Sequence, residues 1–181
     1  AVQAGYSILV AGGTGSGKTT FLNVLAGHIP QDERVIVIED TAELQIRNVP
    51  NLVRLETRDG GAEDCREISM RDLIKAALRM RPTRLIIGEV RGVEAFELLT
   101  CLNTGHDGSL STCHANSTAD TVTRLETMVL MGMELPLQAI RRQIASGVDL
   151  IVYLGRLRDK SRRLLEITEV TGMEGEQVEL N

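Results

Sequence analysis

The sequence predicts an α/β domain built on a mostly parallel β-sheet, with helices on both faces and an antiparallel hairpin at the C-terminus. Over most of the 181 residues, short apolar runs alternate with amphipathic segments of helical period, which is the pattern of β-α-β units. A glycine-rich turn joins the first apolar run directly to the first helical segment. Residues 162–180 instead alternate polar and apolar side chains around a turn, as antiparallel strands do.

The first elements lie on either side of the glycine-rich turn. Residues 6–11 form a short apolar run, which indicates a buried strand, and the apolar side chains of residues 18–29 recur at helical spacing. Residues 34–38 are rich in β-branched side chains and predict a second core strand, and residues 52–56 are a candidate third strand. The polar stretch 57–67, with its paired glycines, predicts a loop.

Helix-start signals divide the rest of the chain. Two capping boxes, in which a serine precedes an acidic residue by three positions, are Ser69 with Asp72 and Ser117 with Asp120. Pro136 suits the first turn of a further helix. The predicted elements are helices from 69 to about 82, over 93–103, from 117 to about 131 and over 136–147, a turn at 105–108, and strands over 84–87, 109–113, 148–154, 162–171 and 177–180.

Composition narrows the possible functions. Hydrophobic residues make up 43% of the chain and charged residues 25%, which is ordinary for a globular domain. The net charge of −5 and the aromatic content of 2% argue against nucleic-acid binding, which needs clustered basic residues and aromatic rings for stacking. The cysteines lack metal-ligand spacing and are expected to be free thiols; they are Cys65, Cys101 and Cys113.

The sequence predicts one domain over residues 1–181, without direct membrane insertion. No signal-peptide pattern is present, and no apolar run approaches the roughly 18 residues that a membrane span needs. Any link to a membrane is therefore expected to pass through a partner. Because the chain begins only a few residues before the first predicted strand, we expect it to be a fragment of a longer protein.

Residues 12–19 (GGTGSGKT) match the phosphate-loop pattern G-x-x-x-x-G-K-[ST] in full. Glycines let backbone N–H groups turn inward around phosphate oxygens, and the following helix directs its positive end at the same anion. We expect Lys18 to reach the β- and γ-phosphates of ATP, or of a close relative, and the Thr19 hydroxyl to ligate Mg²⁺ directly. The predicted nucleotide-binding residues are Gly13, Thr14, Gly15, Ser16, Gly17, Lys18, Thr19 and Thr20.

Acidic side chains follow two of the predicted core strands. Glu89 follows the run RLIIG, and Glu39 with Asp40 follows RVIVI. Because open α/β sheets bind ligands beyond the carboxyl ends of their strands, these acids are candidates for holding Mg²⁺ and orienting water. Glu43 is expected at the surface.

His114 comes at the end of another predicted strand, among small polar residues. This position makes it a candidate sensor of the γ-phosphate, although a lone histidine is more often structural or exposed. His28 and His106 are expected to be of that ordinary kind.

Basic residues form two groups. Five of them surround a predicted turn, which is either a solvated hairpin tip or an interface with an acidic neighbouring subunit; they are Arg156, Arg158, Lys160, Arg162 and Arg163. Four more are spread through the middle of the chain, and any of them is a candidate for reaching a phosphate across a subunit boundary; they are Arg54, Arg58, Arg79 and Arg81. None of these arginines lies in a motif that would aim it at the chain's own phosphate loop.

Four motifs occur in a fixed order before a C-terminal pair of segments: GGTGSGKTT, VIEDTAELQ, RPTRLIIGEVRGVEAFELL and TGHDGSLSTCHANS, then SRR with ITEVTGMEG. Together they resemble the secretion ATPases, the hexameric motors of type II and type IV secretion and of type IV pili. The likeness is greatest to the CpaF-like branch, which drives assembly of tight-adherence (Flp/Tad) pili. The resemblance covers about residues 7–175.

The resemblance implies a RecA-like phosphate-loop fold and ATP hydrolysis with Mg²⁺. It also implies a homo-hexamer in the full-length protein, inner-membrane secretion or pilus platform proteins as partners, and a cytoplasmic location peripheral to that membrane. Members of the family carry an N-terminal domain that supplies arginines, and we expect this chain to be a fragment without that domain. We therefore expect the chain alone to bind nucleotide, to be mostly monomeric and to hydrolyse ATP slowly.

Roles for individual residues follow from the same resemblance. The Asp box matches residues 39–43, the Walker B motif matches 85–89 and the His box matches 105–114. In these roles Glu89 polarises the attacking water, Glu39 supports magnesium or water, and His114 reads the γ-phosphate. Gly88 stands where many other phosphate-loop enzymes have an aspartate, so Glu89 is expected to act on Mg²⁺ through water.

Two other functions are weighed against this one. A small-molecule kinase needs an acceptor pocket and usually an arginine-rich lid, and the sequence indicates neither; the signature LSGGQ of transporter ATPases is also missing. A nucleotide-gated assembly scaffold with little turnover needs no water-orienting acid such as Glu89.

Overall fold

Strands and helices alternate along the chain in the computed structural model, which describes residues 1–61 and 66–181. After a short 3-10 turn at Val2–Ala4, the strands are β1 (Ile8–Gly12), β2 (Arg34–Glu39), β3 (Asn51–Glu56), β4 (Arg84–Val90), β5 (Leu110–Cys113), β6 (Leu150–Arg156), β7 (Arg162–Glu174) and β8 (Gln177–Leu180). The helices are α1 (Lys18–Ala26), α2 (Met70–Leu78), α3 (Ala95–Leu102), α4 (Thr118–Leu130) and α5 (Leu137–Gly147).

The strands form one eight-stranded sheet in the order β3-β2-β4-β5-β1-β6-β7-β8. Strands β1 to β6 pair in parallel, and β7 and β8 are added antiparallel at the β6 edge. The predicted fold class, with its C-terminal antiparallel hairpin, is confirmed. The β6–β7 connection is an antiparallel turn at the basic residues where the sequence predicted a turn, so β6, β7 and β8 form the antiparallel part of the sheet.

Helices cover both faces of the sheet, and β2 shows how its residues divide between them. Ile36 and Ile38 pack on the side of α2 to α5, whereas Val35 and Val37 pack on the side of α1. All four side chains are almost fully buried. A parallel strand that is buried on both faces has a continuous run of apolar residues. This is why the run RVIVI predicted a core strand.

Both serines that were predicted to cap helices do so, but only one of the two capping boxes is complete. Ser69 and Asp72 form both hydrogen bonds of a capping box at α2. At α4, Ser117 accepts from the backbone N–H of Asp120, but the Asp120 carboxylate accepts from Asn116 instead of returning to Ser117. Helix α1 ends at Ala26, earlier than predicted, because the chain continues in tighter turns through Ile29, which remains buried.

Two boundaries matter for the site. Strand β4 continues to Val90, so Glu89 lies inside the strand rather than after it, and the pairing with β5 shifts register between Ile87 and Val90. Strand β6 extends to Arg156. In the predicted loop 57–67, Arg58 pairs with Ile68 in an isolated bridge.

The described cysteines are buried, and the helices are short. Cys101 and Cys113 are buried free thiols, and burial raises the pKa of each to about 12; Cys65 lies outside the described residues. Within residues 1–61 and 66–181, the helices are too short or too polar for any of them to cross a membrane.

Candidate functional site

The phosphate loop links the end of β1 to the start of α1 at the carboxyl edge of the parallel strands. Gly15 and Gly17 have φ values of 73° and 100°, in the left-handed region that favours glycine. At Gly12, an added Cβ atom would lie 2.5 Å from the backbone oxygen of Leu154, so a side chain does not fit there. These glycines are therefore required by the backbone path, as the motif predicts.

Lys18 is buried at the base of the loop. Its Nζ donates to the backbone oxygens of Gly12 at 2.9 Å and Gly13 at 3.2 Å. The same nitrogen lies 3.9 Å from Oε1 of Glu89. Burial lowers the pKa of the Lys18 ammonium, and the charge of Glu89 opposes that shift.

The other predicted loop residues differ in exposure. Gly13 and Thr14 are exposed, as is Thr20 on the first turn of α1. Ser16 is buried, and its hydroxyl oxygen has no hydrogen-bond partner among the described residues. An orphaned hydroxyl inside a glycine-rich loop fits a loop that closes around a polar ligand.

Glu89 is the centre of a charged cluster. Its Oε1 lies 2.7 Å from Nε2 of His114, although this approach does not give the oxygen a well-directed hydrogen bond. Its Oε2 accepts from Nε of Arg91 at 2.8 Å and also from Nη2 of the same guanidinium. Two of the three predicted catalytic residues are thus brought together beside Lys18.

Arg91 was missed by the sequence analysis. It lies two positions after Glu89, and its guanidinium also approaches Asp40 at 3.8 Å. The contact with Glu89 raises the pKa of Arg91. The only signal in the sequence was this spacing, which places alternate residues of an extended chain on one side.

His114 follows directly on β5 and is about one third exposed. Partial burial, and then the nearby positive charge of Lys18, lower the pKa of its imidazole; Glu89 opposes this shift. Since the ordinary histidine pKa is about 6.5, the ring is neutral at pH 7. A neutral imidazole beside a carboxylate offers one N–H donor to a ligand or to Glu89.

Glu39, the third predicted catalytic residue, lies at the end of β2 and is buried. Its Oε1 accepts the backbone N–H groups of Glu43 at 3.0 Å and Leu44 at 2.9 Å. An added Cβ at Gly88 would lie 3.1 Å from Glu39 Cγ, so the glycine at position 88 leaves room for this side chain. Glu39 therefore organises the following loop as well as lining the cleft.

Glu43 is exposed, as predicted, yet it takes part in the site. Its Oε2 accepts a long hydrogen bond of 3.4 Å from the hydroxyl of Thr19. Thr19, Glu39, Glu43 and Glu89 line one cleft of about 180 Å³ together with Lys18. Hydroxyl and carboxylate oxygens are the ligands that Mg²⁺ prefers, so these residues fit a magnesium-assisted nucleotide site.

The basic β6–β7 turn corrects an expectation from the sequence. Arg162 donates from Nε to the backbone oxygen of Gly15 at 3.0 Å. Residues 156–160 are exposed, as expected for a solvated hairpin tip, but Arg162 beside them is aimed at the chain's own phosphate loop. Pairing of β6 with β7 brings position 162 beside Arg156 at the carboxyl end of β6, which no local pattern could reveal.

An apolar groove adjoins the phosphate loop on the hairpin side. It is lined by Phe21 and Val24 of α1 and by Leu154 and Leu164 of the hairpin, with Gly17 at the loop end. Val24 and Leu164 are both substantially exposed. Its chemistry suits a flat apolar group attached to a phosphate-bearing ligand.

The arginines in the middle of the chain have different surroundings. Arg54 donates to the backbone oxygens of Leu44 and Ile46, and so holds the loop after Glu39. Arg58 donates to the backbone oxygen of Arg66. Neither arginine reaches the phosphate loop of its own chain in the described residues.

Comparisons with known proteins show the family and the fold of the chain. The profile of the family described as Type II/IV secretion system protein matches residues 1–177. The chain is 41% identical over 172 residues to the type IV secretion system protein PtlH of Bordetella pertussis, covering 92% of this chain and 51% of that protein. It is also 41% identical over 158 residues to the type IV secretion system protein VirB11 of Brucella suis, covering 85% of this chain and 44% of that protein.

The fold is also similar to that of a solved structure. The VirB11 ATPase of the Brucella suis type IV secretion system, crystallised with sulphate, superimposes with a TM-score of 0.84 and 37% identity. The match covers 93% of this chain and 51% of that one. The chain thus spans about half the length of the relatives that it matches.

Proposed function

Because the chain belongs to the family of type II/IV secretion system proteins, we propose that it is an ATP-binding and ATP-hydrolysing motor domain. The observation that carries this proposal is the position of Lys18. It lies at the base of a complete phosphate loop, 3.9 Å from a carboxylate that also contacts a histidine. The full-length protein would use this domain to power secretion or pilus assembly at the bacterial inner membrane.

The reaction is in-line attack of water on the γ-phosphate of ATP. The loop N–H groups and the N-terminus of α1 hold the phosphates, and Lys18 exchanges its contacts with backbone oxygens for the β- and γ-phosphates. Magnesium, when bound, supplies positive charge beside the phosphates and would be held directly by the Thr19 hydroxyl and through water by Glu89.

Glu89 is the residue that we assign to the attacking water. Its carboxylate lines the acidic cleft and faces both Lys18 and His114, which supports a role in contacting a water next to the γ-phosphate. His114 would donate its N–H to the γ-phosphate and report whether that group is present. Glu39 supports the site through the loop that carries Glu43, because one of its oxygens already accepts two backbone N–H groups.

The apolar groove beside the phosphate loop suits the nucleoside end of the ligand. The groove between Phe21, Val24 and Leu164 begins at Gly17 and leads away from the acidic cleft. An adenine ring placed there would bury apolar surface, while its phosphates stay on the loop.

We further propose a homo-hexamer for the full-length protein, with inner-membrane platform proteins as partners and a cytoplasmic location peripheral to the membrane. Membership of the family and the order of the sequence motifs support this assembly. The CpaF-like motifs support tight-adherence pilus assembly as the particular process. Light scattering of the full-length protein with and without ATP tests the ring.

A nucleotide-gated scaffold with little turnover is the alternative from another functional class. A scaffold needs the phosphate loop but not an acid poised beside it. The contacts of Glu89 with Lys18 and His114 favour the hydrolase.

Replacing Lys18 tests the binding site itself. Lys18→Ala should abolish tight binding of a fluorescent ATP analogue, because the loop loses its main point charge. The circular dichroism spectrum should stay unchanged, since the loop lies at an edge of the sheet. The control is Lys75→Ala, which removes an exposed lysine on α2. Unchanged affinity in the Lys18 variant would refute the nucleotide site.

A further inference from the structure

The β6–β7 hairpin places a cation against the outer side of the phosphate loop. Beyond the bond from Arg162 Nε to Gly15, the Cδ atom of Arg162 is 3.3 Å from the position that a Cβ on Gly17 would occupy. In the part of the chain that the structure describes, neither terminal nitrogen of Arg162 donates to a protein acceptor. The guanidinium is therefore held in place through Nε, and its two terminal nitrogens can donate hydrogen bonds to a ligand.

Two cavities flank the loop, and they differ in charge. One, of about 220 Å³, is lined by Arg162 with Gly15, Gly17, Lys18, Thr19 and Thr20. The other is the acidic cleft described above, which contains Glu39, Glu43 and Glu89. Lys18 and Thr19 contribute to both, so the phosphate chain has to run between them.

The chemistry of each cavity indicates which phosphates it takes. The water-orienting acid and His114 define the γ-phosphate side. Arg162 lies on the opposite side, where the apolar groove begins, and it lines that groove as well. We infer that Arg162 binds the α- and β-phosphates of the nucleotide, so that the hairpin acts as an in-chain clamp on the diphosphate.

This clamp rests on the proposed function, and it adds a specific consequence. A group that contacts the α- and β-phosphates meets the same atoms in ADP and in ATP, so its loss should weaken the binding of both nucleotides to a similar extent. The anchor at Gly15 reduces the conformational freedom that the side chain would lose on binding. Charge-assisted contacts to phosphate are also weakened by salt.

The test is calorimetric titration of ADP and ATP into matched variants. Arg162→Ala should weaken both nucleotides by about tenfold, the size of effect expected for a hydrogen bond to a charged group. Arg162→Gln can still donate to Gly15 but carries no charge, and it should lose affinity as the alanine variant does. Arg162→Lys keeps the charge and should recover part of the affinity. The control Arg158→Ala removes an exposed arginine of the same turn.

Two further readouts separate a clamp from a purely structural staple. The affinity of the wild type should fall more steeply with salt than that of Arg162→Gln, and the KM for ATP should rise in Arg162→Gln by a larger factor than kcat falls. The clamp would be overturned if Arg162→Gln bound both nucleotides as tightly as the wild type, or if Arg162→Ala had the same affinity as Arg158→Ala. Either result would leave the nucleotide site itself intact. Loss of the proposed function has a different signature, because then the wild type and Lys18→Ala would bind nucleotide equally.

Discussion

At the scale of single residues, Glu89 connects most of the groups that the chemistry needs. One oxygen approaches His114 and Lys18, and the other accepts from Arg91. These contacts fix the orientation of the carboxylate, which matters because a base must be within hydrogen-bond reach of the proton that it accepts. Arg91 holds the carboxylate but is itself largely exposed, so we regard it as a positioning residue.

The neutral state of His114 leads to a pH prediction. Its pKa is lowered by burial and by Lys18, so protonation occurs below the ordinary value of about 6.5. Turnover should therefore persist as the pH falls through that value, and should decline only when the imidazolium forms and binds the Glu89 carboxylate. His114→Asn should lower turnover at pH 7 and remove this decline. The measurement is the pH profile of kcat for both proteins.

Nucleotide affinity provides the control for the same variant. ADP lacks the phosphate that His114 would contact, so ADP binding should be nearly unchanged in His114→Asn. Equal losses of ADP and ATP binding would instead make His114 a structural residue.

At the scale of elements, the segment between β2 and β3 is held in place from several sides. Its apolar side chains Leu44 and Ile46 are buried. The N–H of Gln45 donates to the side chain of Asn23 on α1 at 2.8 Å, and Arg54 on β3 donates to two backbone oxygens of the segment. The phosphate-loop helix and the segment that carries Glu43 are thereby fixed to each other.

Removing one of these attachments tests its importance. Arg54→Ala breaks two hydrogen bonds, removes the cation that lies 3.8 Å from the buried Glu39 carboxylate, and should lower the free energy of unfolding by about 1–2 kcal/mol. It should also raise the Mg²⁺ concentration needed for half-maximal turnover, because Glu43 is then less firmly placed near Thr19. Arg47→Ala is the matched control, since Arg47 lies in the same segment and, among the residues that the structure describes, its side chain donates only to Gln45. Chemical denaturation and a magnesium titration measure the two effects, and equal behaviour of the two variants would contradict this role.

Local and distant relationships explain what could be predicted from the sequence. The phosphate loop, Glu39, Glu89 and His114 each lie at or near the carboxyl end of a core strand, and parallel strands bring these ends to one edge. Short-range patterns were therefore sufficient to place them together. The contact between Arg162 and Gly15 joins residues 147 positions apart, one in the phosphate loop and one at the start of β7, and a contact over that distance leaves no short-range pattern in the sequence.

At the scale of the whole molecule, the strand order arranges the site. Strand β1 lies between β5 and β6, so the phosphate loop has His114 on one side and the hairpin with Arg162 on the other. Strand β4 lies beyond β5 and contributes Glu89, and β2 contributes Glu39. The acids and Arg162 consequently face the phosphate loop from opposite sides.

The measurement that tests the central claim most directly is phosphate release from ATP by the wild type and Glu89→Gln, with nucleotide affinity determined in parallel. The control is Glu134→Gln, which changes an exposed glutamate distant in the sequence from every motif. We predict that Glu89→Gln binds ATP as the wild type does but hydrolyses it at least about a hundredfold more slowly, because a positioned acid–base group is lost. Glu89→Gln turnover equal to that of the control, with ATP binding intact, would contradict the account.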